Sequence, residues 1–222
     1  MSDRRRFLGA AAALGVGQLV LPGREARGEE KGEVSAAEDL MREHGVLNRI
    51  LLIFEEGLRR KEGDLSPDVF HKPALLVRRF VEDYHEKLEE NFIFPEFEKR
   101  KKLLELVKVL REQHEAGRRV TDVVLRNAVP DRFRREAARK ELAAACRAFI
   151  RMYRPHEARE DTVLFPELHR ILPAKRIEEL GDQFEKEEDR LFGDEGFEKT
   201  VEQVAVLEKQ LGIYELSKFT PR

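Results

Sequence analysis

The chain has 222 residues, 41% of them hydrophobic and 39% charged, and no tryptophan. That is enough for one domain with a well-buried core, and the mixture suits long amphipathic helices. Forty-two Lys and Arg against 44 Asp and Glu leave a net charge of −2, which offers nucleic acid no electrostatic hold; the lone Cys146, set among alanines, excludes an internal disulfide and reads as a small core residue.

Residues 1–28 read as an export signal. Arg4-Arg5-Arg6 precedes an apolar run from Leu8 to Leu21, and a polar exit follows. The run is about 14 residues, short for a membrane span of roughly 20. Its paired arginines followed by Phe7-Leu8 resemble the twin-arginine export signal, with Asp3 where that signal has Ser or Thr. The resemblance implies a protein exported folded and metal-loaded, hence periplasmic, or membrane-anchored if the segment stays uncleaved. Residues 29–35 form a polar linker.

Ser35 and Glu38 predict a capping box that opens a helix to about Arg60. Leu40, His44, Leu47, Leu51, Phe54 and Leu58 share one of its faces. A second helix is predicted over 67–93, with Val77, Val81, His85, Leu88, Glu89 and Phe92 inward, ending or kinking near Phe94 because of Pro95. A third, about 99–127, aligns Leu103, Leu106, Leu110, His114, Gly117 and Val124. A fourth, from Pro130 to about Phe165, carries Leu142, Phe149, Met152, His156, Glu160 and Val163, with a bend at Pro155. Tyr153 is expected in the core. Residues 173–222 lack histidine and predict two more helices, to about Phe192 and over 197–211, packed on the rest as a lid or flank. The charged segment 185–189 is expected to be a solvated helix face.

The chain also contains an internal repeat. The block from His85-Glu86 to Phe94-Pro95-Glu96 returns from His156-Glu157 to Phe165-Pro166-Glu167, at an offset of 71, with six of twelve positions identical. Leu40-Met41-Arg42-Glu43-His44 returns loosely as Leu110-Arg111-Glu112-Gln113-His114, at an offset of 70. The chain is therefore two helical hairpins, 36–98 and 106–168. Each supplies one histidine from its first helix and a His-Glu pair from its second. Short connections favour antiparallel neighbours, so the expected fold is all-α, an antiparallel up-down four-helix bundle over 36–172 with a C-terminal helical extension.

Two His-x-x-x-Glu pairs are weak evidence of a site by themselves, because such spacings are common on helices. Their position on apolar stripes adds the argument, since a buried charge must be paired or bound to a metal. Residues i and i+4 differ by only about 40° around a helix, so each pair aims at one place. The candidate ligands are His44, His85, Glu89, His114, His156 and Glu160. If both glutamates bridge two ions, each ion receives two imidazoles and one oxygen from each carboxylate. An octahedral ion then keeps one position for a shared oxo or hydroxo bridge and one for O2, NO or peroxide. This donor set suits iron and fits four-coordinate zinc less well, while leaving manganese or a mixed pair open. His71 and His169 are expected at the surface.

These residues resemble the hemerythrin-like, or HHE cation-binding, family across roughly residues 36–170. The resemblance rests on His44 after Arg42-Glu43, on His85 with Glu89, on His114 in Gln113-His114-Glu115-Ala116-Gly117, and on His156 with Glu160. It implies a four-helix bundle holding two non-haem irons. Oxygen-carrying hemerythrins have a second histidine where Leu110 stands, and an Asp five residues after the last His rather than Glu160 four after it. Four histidines with two glutamates are similar instead to di-iron proteins implicated in iron-centre repair and nitric oxide stress, which carry an amino-terminal cysteine-bearing domain not seen here and lack an export signal. The expected function is an exported di-iron protein that senses, stores or scavenges O2, NO or peroxide. A di-iron oxidoreductase reducing NO or peroxide, and an iron storage or delivery protein, are the alternatives. No pattern names an electron donor.

Overall fold

The computed structural model describes residues 34–61, 66–193 and 195–221. The expected export signal, and the linker up to residue 33, lie outside them. Among the described residues every regular element is helical, and no helix is long and apolar enough to cross a membrane.

Helix α1 (Ala36–Arg59) begins with the expected capping box: the Glu38 N–H donates to Ser35 Oγ at 3.3 Å, and the Ser35 N–H donates to Glu38 Oε2 at 2.8 Å. Two of the helix's exposed N-terminal donors are thereby satisfied. Leu40, His44, Leu47, Leu51 and Phe54 are buried as the periodicity predicts.

Helix α2 covers 68–100. It opens as Asp68–Leu76, passes through two π-helical stretches, Val77–His85 and Glu89–Ile93, on either side of Glu86–Leu88, and closes as Phe94–Arg100. The end or kink expected near Phe94 falls where the second π stretch gives way to a fresh α-segment, and the helix runs on to Arg100. In an α-helix, Pro95 cannot donate to the carbonyl of Asn91 and its ring clashes with it. The π turn removes that conflict. The Phe94 N–H bonds to the Glu89 carbonyl, five residues back, and Pro95 falls in the first turn of a fresh α-segment, where no donor is needed.

Helix α3 (Leu104–Asn127) starts later than expected. Lys101 and Leu103 both take left-handed backbone, with φ of 55° and 47°. The Lys102 N–H reaches back to the Phe97 carbonyl at 3.0 Å and closes α2. A single turn, Pro130–Phe133, precedes α4, which covers 136–171 as Glu136–Arg159, a π turn Glu160–Leu164, and Phe165–Ile171. The expected start at Pro130 and end near Phe165 both move. Pro155 remains inside the α-helical segment and is exposed, so the carbonyl it leaves unbonded can face water. Helices α5 (Ala174–Phe192) and α6 (Gly196–Leu211) follow.

Helix α1 packs against α2 and α4, and α3 packs against the same two, so four contacts close a ring around one core. The π turns shift the phase of that core. Simple 3.6-residue spacing points Phe92 and Val163 inward, yet both are only half-buried. Ile93 with Phe94, and Leu164 with Phe165, are buried instead. A π turn inserts one extra residue per turn, which advances every later side chain around the axis.

The tail packs on α1 and α2, as expected of a flank. Arg49 grips Glu208 through two bonds, at 2.9 and 2.6 Å, and Arg60 bonds to the Leu211 carbonyl. One expectation about the tail fails. Glu188 is buried, not solvated. It accepts from the Phe197 N–H at 2.6 Å and from the Tyr84 hydroxyl at 3.3 Å, and so caps the start of α6 from inside.

Candidate metal centre

The repeated block gains a physical reading at this point. In both copies the glutamate opens a five-residue π turn and the Phe-Pro pair closes it. Single π turns recur at functional sites because they re-aim side chains without ending the helix. Glu89 and Glu160 are the residues so placed. Both are fully buried in the ring of α1–α4.

All six predicted residues come together. Donor atoms of Glu89, His114, His156 and Glu160 lie within 4.8 Å of one another, and so do those of His44, His85 and Glu89. The two groups share Glu89. His114 Nε2 is 3.3 Å from Glu89 Oε2 and 3.3 Å from His156 Nε2. Glu160 Oε2 lies 3.2 Å from His156 Nε2 and 3.4 Å from His44 Nε2, so it too spans both groups. His85 Nε2 is 3.8 Å from Glu89 Oε1. Two donors about 2.1 Å from one ion, at right angles, sit about 3 Å apart, and these separations are close to that.

The opposite edge of each ring explains why Nε2 faces inward. His44 Nδ1 is 2.7 Å from Asp161 Oδ1, and His85 Nδ1 is 2.8 Å from Glu43 Oε2. His114 Nδ1 is 3.1 Å from Glu90 Oε1, and His156 Nδ1 is 2.8 Å from Gln113 Oε1. All four partners are acceptors, so each Nδ1 carries the proton and donates it. With Nδ1 so engaged, each ring would turn an Nε2 lone pair to a cation at the centre. Four imidazoles converge there with four carboxylate oxygens, those of Glu89 and Glu160, none of which has a hydrogen-bond partner. Buried acceptors facing one another without donors are strongly unfavourable unless a cation satisfies them. The donor set thus fits a pair of metal ions.

Sequence reading missed these four outer partners, although a signal existed. Each flanks a ligand, and they obey the same offsets: Glu43 and Gln113 precede the first-helix histidines, and Glu90 and Asp161 follow the glutamates. The repeated phenylalanines belong to the same scheme. Phe94 stacks on His114 and Phe165 on His44, with ring centroids 5.5 and 5.7 Å apart. Each hairpin covers the other's histidine.

Charge in the metal-free centre is held by protons. Burial and the charge of Glu160 push the Glu89 carboxyl well above its ordinary range. Burial also opposes ionisation of Glu160, but His156 and His44 hold it well below. For His44, burial disfavours the charged form, yet the hydrogen bond to Asp161 and the nearby Glu160 carboxylate raise it well above its usual value. A cation entering the site replaces these protons.

A second pair of buried carboxyls follows the offset of 71. Glu86 accepts from the Tyr153 hydroxyl at 2.6 Å and lies 2.7 Å from Arg118, and Glu157 accepts from Asn48. Burial pushes each up to about 8. For Glu157, the folded protein therefore keeps a proton that the unfolded chain releases above its ordinary pKa of 4.5. The linked stability is present below that value and is lost as pH rises to about 8. In metal-free protein, Glu157→Gln is expected to show a shallower fall in stability across this window and to exceed the parent above it, by on the order of 2–4 kcal/mol. Urea melts from pH 5 to 9 measure this, and parallel curves for variant and parent would contradict it.

The remaining expectations are quickly placed. His169 is exposed and His71 half-buried, and neither joins the cluster. Glu86, Glu90 and His114 form a third group of possible ligands, but the Arg118 guanidinium already sits on both carboxylates. Tyr153 is in the core, in a T-shaped arrangement with His156, the ring centroids 5.4 Å apart. Cys146 is fully buried and its thiol is pushed up to about 12 by burial, in keeping with an inert core residue.

Comparison with known proteins agrees with this geometry. Residues 35–132 and again 106–211 match the hemerythrin HHE cation binding domain. An uncharacterized protein of Mycobacterium tuberculosis is 49% identical over 195 residues, covering 87% of this chain and 76% of its own, and one of Mycobacterium bovis matches to the same extent. No solved structure matches. The cation-binding cluster and the two family matches lead to one conclusion: the chain belongs to the hemerythrin HHE cation-binding domain family.

Proposed function

We propose that α1–α4 form an up-down four-helix bundle whose six central side chains hold two iron ions, and that this centre binds O2, NO or peroxide for sensing, storage or scavenging. The carrying observation is the convergence of four imidazoles on four carboxylate oxygens that lack any hydrogen-bond partner. His44 and His85 would hold one ion and His114 and His156 the other, with Glu89 and Glu160 available to both. Iron supplies a redox-active Lewis acid with positions left open to a small ligand.

The chain's own residues set the conditions for that chemistry. The outer partners fix each imidazole's tautomer and direction. Phe94 and Phe165 cover His114 and His44 with stacked rings. The most accessible of the six, His85 and His156, are only 4% exposed, which restricts entry to molecules of a few atoms. We also read residues 1–28 as a twin-arginine-type signal that exports the loaded protein.

The test is a visible spectrum of iron-loaded protein under argon, air and NO. A reversible ligand-dependent change supports binding. Sustained consumption of NO or peroxide with an added reductant assigns the oxidoreductase reading instead. Iron lost to a weak chelator, with no ligand-dependent spectrum, assigns storage or delivery. His71→Ala and His169→Ala are expected to retain parental metal content, whereas His85→Ala and Glu160→Ala lose metal. Equal loss from all four would mean that other histidines form the site.

A further inference from the structure

Under the two-ion reading each position would receive two imidazoles; His114 and His156 converge with both glutamates, whereas His44 and His85 converge with Glu89, and Glu160 approaches them through His44 Nε2 at 3.4 Å. The outer partners differ between the two positions. On the first position, the Nδ1 protons of both His44 and His85 go to carboxylates, Asp161 and Glu43. Among the described residues, neither carboxylate meets a lysine or arginine. On the second position, His156 is paired with Gln113, a neutral amide. His114 is paired with Glu90, but Arg118 and Lys87 both bind that carboxylate. Arg111 adds a third cation there, 5.0 Å above the Phe94 ring that stacks on His114. A hydrogen bond to an anion makes an imidazole a stronger donor to metal, and an outer partner is commonly worth 10–100-fold in affinity.

We propose that the two positions are unequal: His44 and His85 form the tight, resident ion site, and His114 and His156 form the weaker, exchangeable one, with Gln113 and the Arg118-neutralised Glu90 as the residues that set the difference. The inference rests on the two-ion reading above. With iron, the same asymmetry favours the ferric state at the His44/His85 position, because its ligand sphere is richer in negative charge. The positions follow the internal two-fold of the sequence, and Glu43 against Gln113 is the point where the outer partners depart from it.

The test is anaerobic titration of metal-free full-length protein with Fe(II), followed by calorimetry, on the parent and on Gln113→Glu and Glu43→Gln. The parent is expected to bind in two steps of one ion each, separated by at least about 10-fold. Gln113 is half-buried at the edge of the site, so a glutamate there keeps the fold. Gln113→Glu is expected to tighten the second step by about 10-fold or more and leave the first unchanged. Glu43→Gln is expected to weaken the first step by a similar factor. If Gln113→Glu tightens the first step, or neither variant moves its step, the positions are equal and the proposal is overturned. A total other than two ions in the parent overturns the two-ion reading itself, and is told apart because it appears before any variant is compared.

Discussion

Glu89→Ala is expected to take the protein from about two ions per chain to fewer than about one half, whereas His85→Ala should keep about one. The difference follows from sharing. Glu89 belongs to both groups of converging donors, with Oε1 facing His85 and Oε2 facing His114. His85 belongs to one. Glu89→Gln separates charge from space, since an amide fills the same volume but lacks the anionic oxygens that bridge two cations. In the metal-free state burial and the charge of Glu160 already keep Glu89 protonated, so the neutral amide takes the place of a neutral carboxyl. The metal-free variant should therefore melt no lower than the metal-free parent, which rules out unfolding as the cause of metal loss. Two ions retained in Glu89→Ala would contradict the shared-ligand geometry.

Gly117→Ala carries the largest expected cost to folding. A Cβ on Gly117 would overlap the Tyr153 hydroxyl and lie 2.9 Å from Cζ of the same ring. Tyr153 has little room to yield. Its hydroxyl is bonded to Glu86, its ring lies 4.3 Å from that of Phe149, and its edge meets His156. Overpacking of this kind costs about 1–3 kcal/mol, and a carboxyl deprived of its donor adds about 1. For a chain of this size the midpoint should fall by on the order of 10 °C. Gly45→Ala is the control. Nothing lies within 4 Å of its added Cβ, and it sits exposed on α1, so alanine should raise stability by about 0.5–1 kcal/mol. Thermal melts with equal midpoints for the two variants would contradict the packing account.

Much of this was legible in the sequence because burial and spacing are local. The Ser35–Glu38 capping box, the α1 stripe and the six converging residues follow from helical periodicity and from the repeat. The misreadings have one main physical source. Regular 3.6-residue spacing places Phe92 and Val163 inward, and it ends or kinks α2 near Phe94. The π turns at Glu89–Ile93 and Glu160–Leu164 add a residue to the turn, re-aim both glutamates and let the prolines pass. Nothing in a helical wheel announces them, although a Phe-Pro pair at a fixed distance after a buried glutamate, written twice, is their trace. Glu188 was misread for another reason. Its partners, Tyr84 and the backbone of Phe197, come from distant or post-turn positions that a charge run does not reveal. The outer partners leave a fainter trace, since only their place beside a ligand, Glu43 and Gln113 at an offset of 70 and Glu90 and Asp161 at 71, marks them.

The central claim is that Glu89, Glu160 and four histidines hold two irons within the ring of α1, α2, α3 and α4. Metal analysis of the purified full-length protein tests it most directly. The account predicts about two iron atoms per chain, both lost in Glu89→Ala. One zinc per chain, or no metal in protein that is folded by circular dichroism, would contradict it.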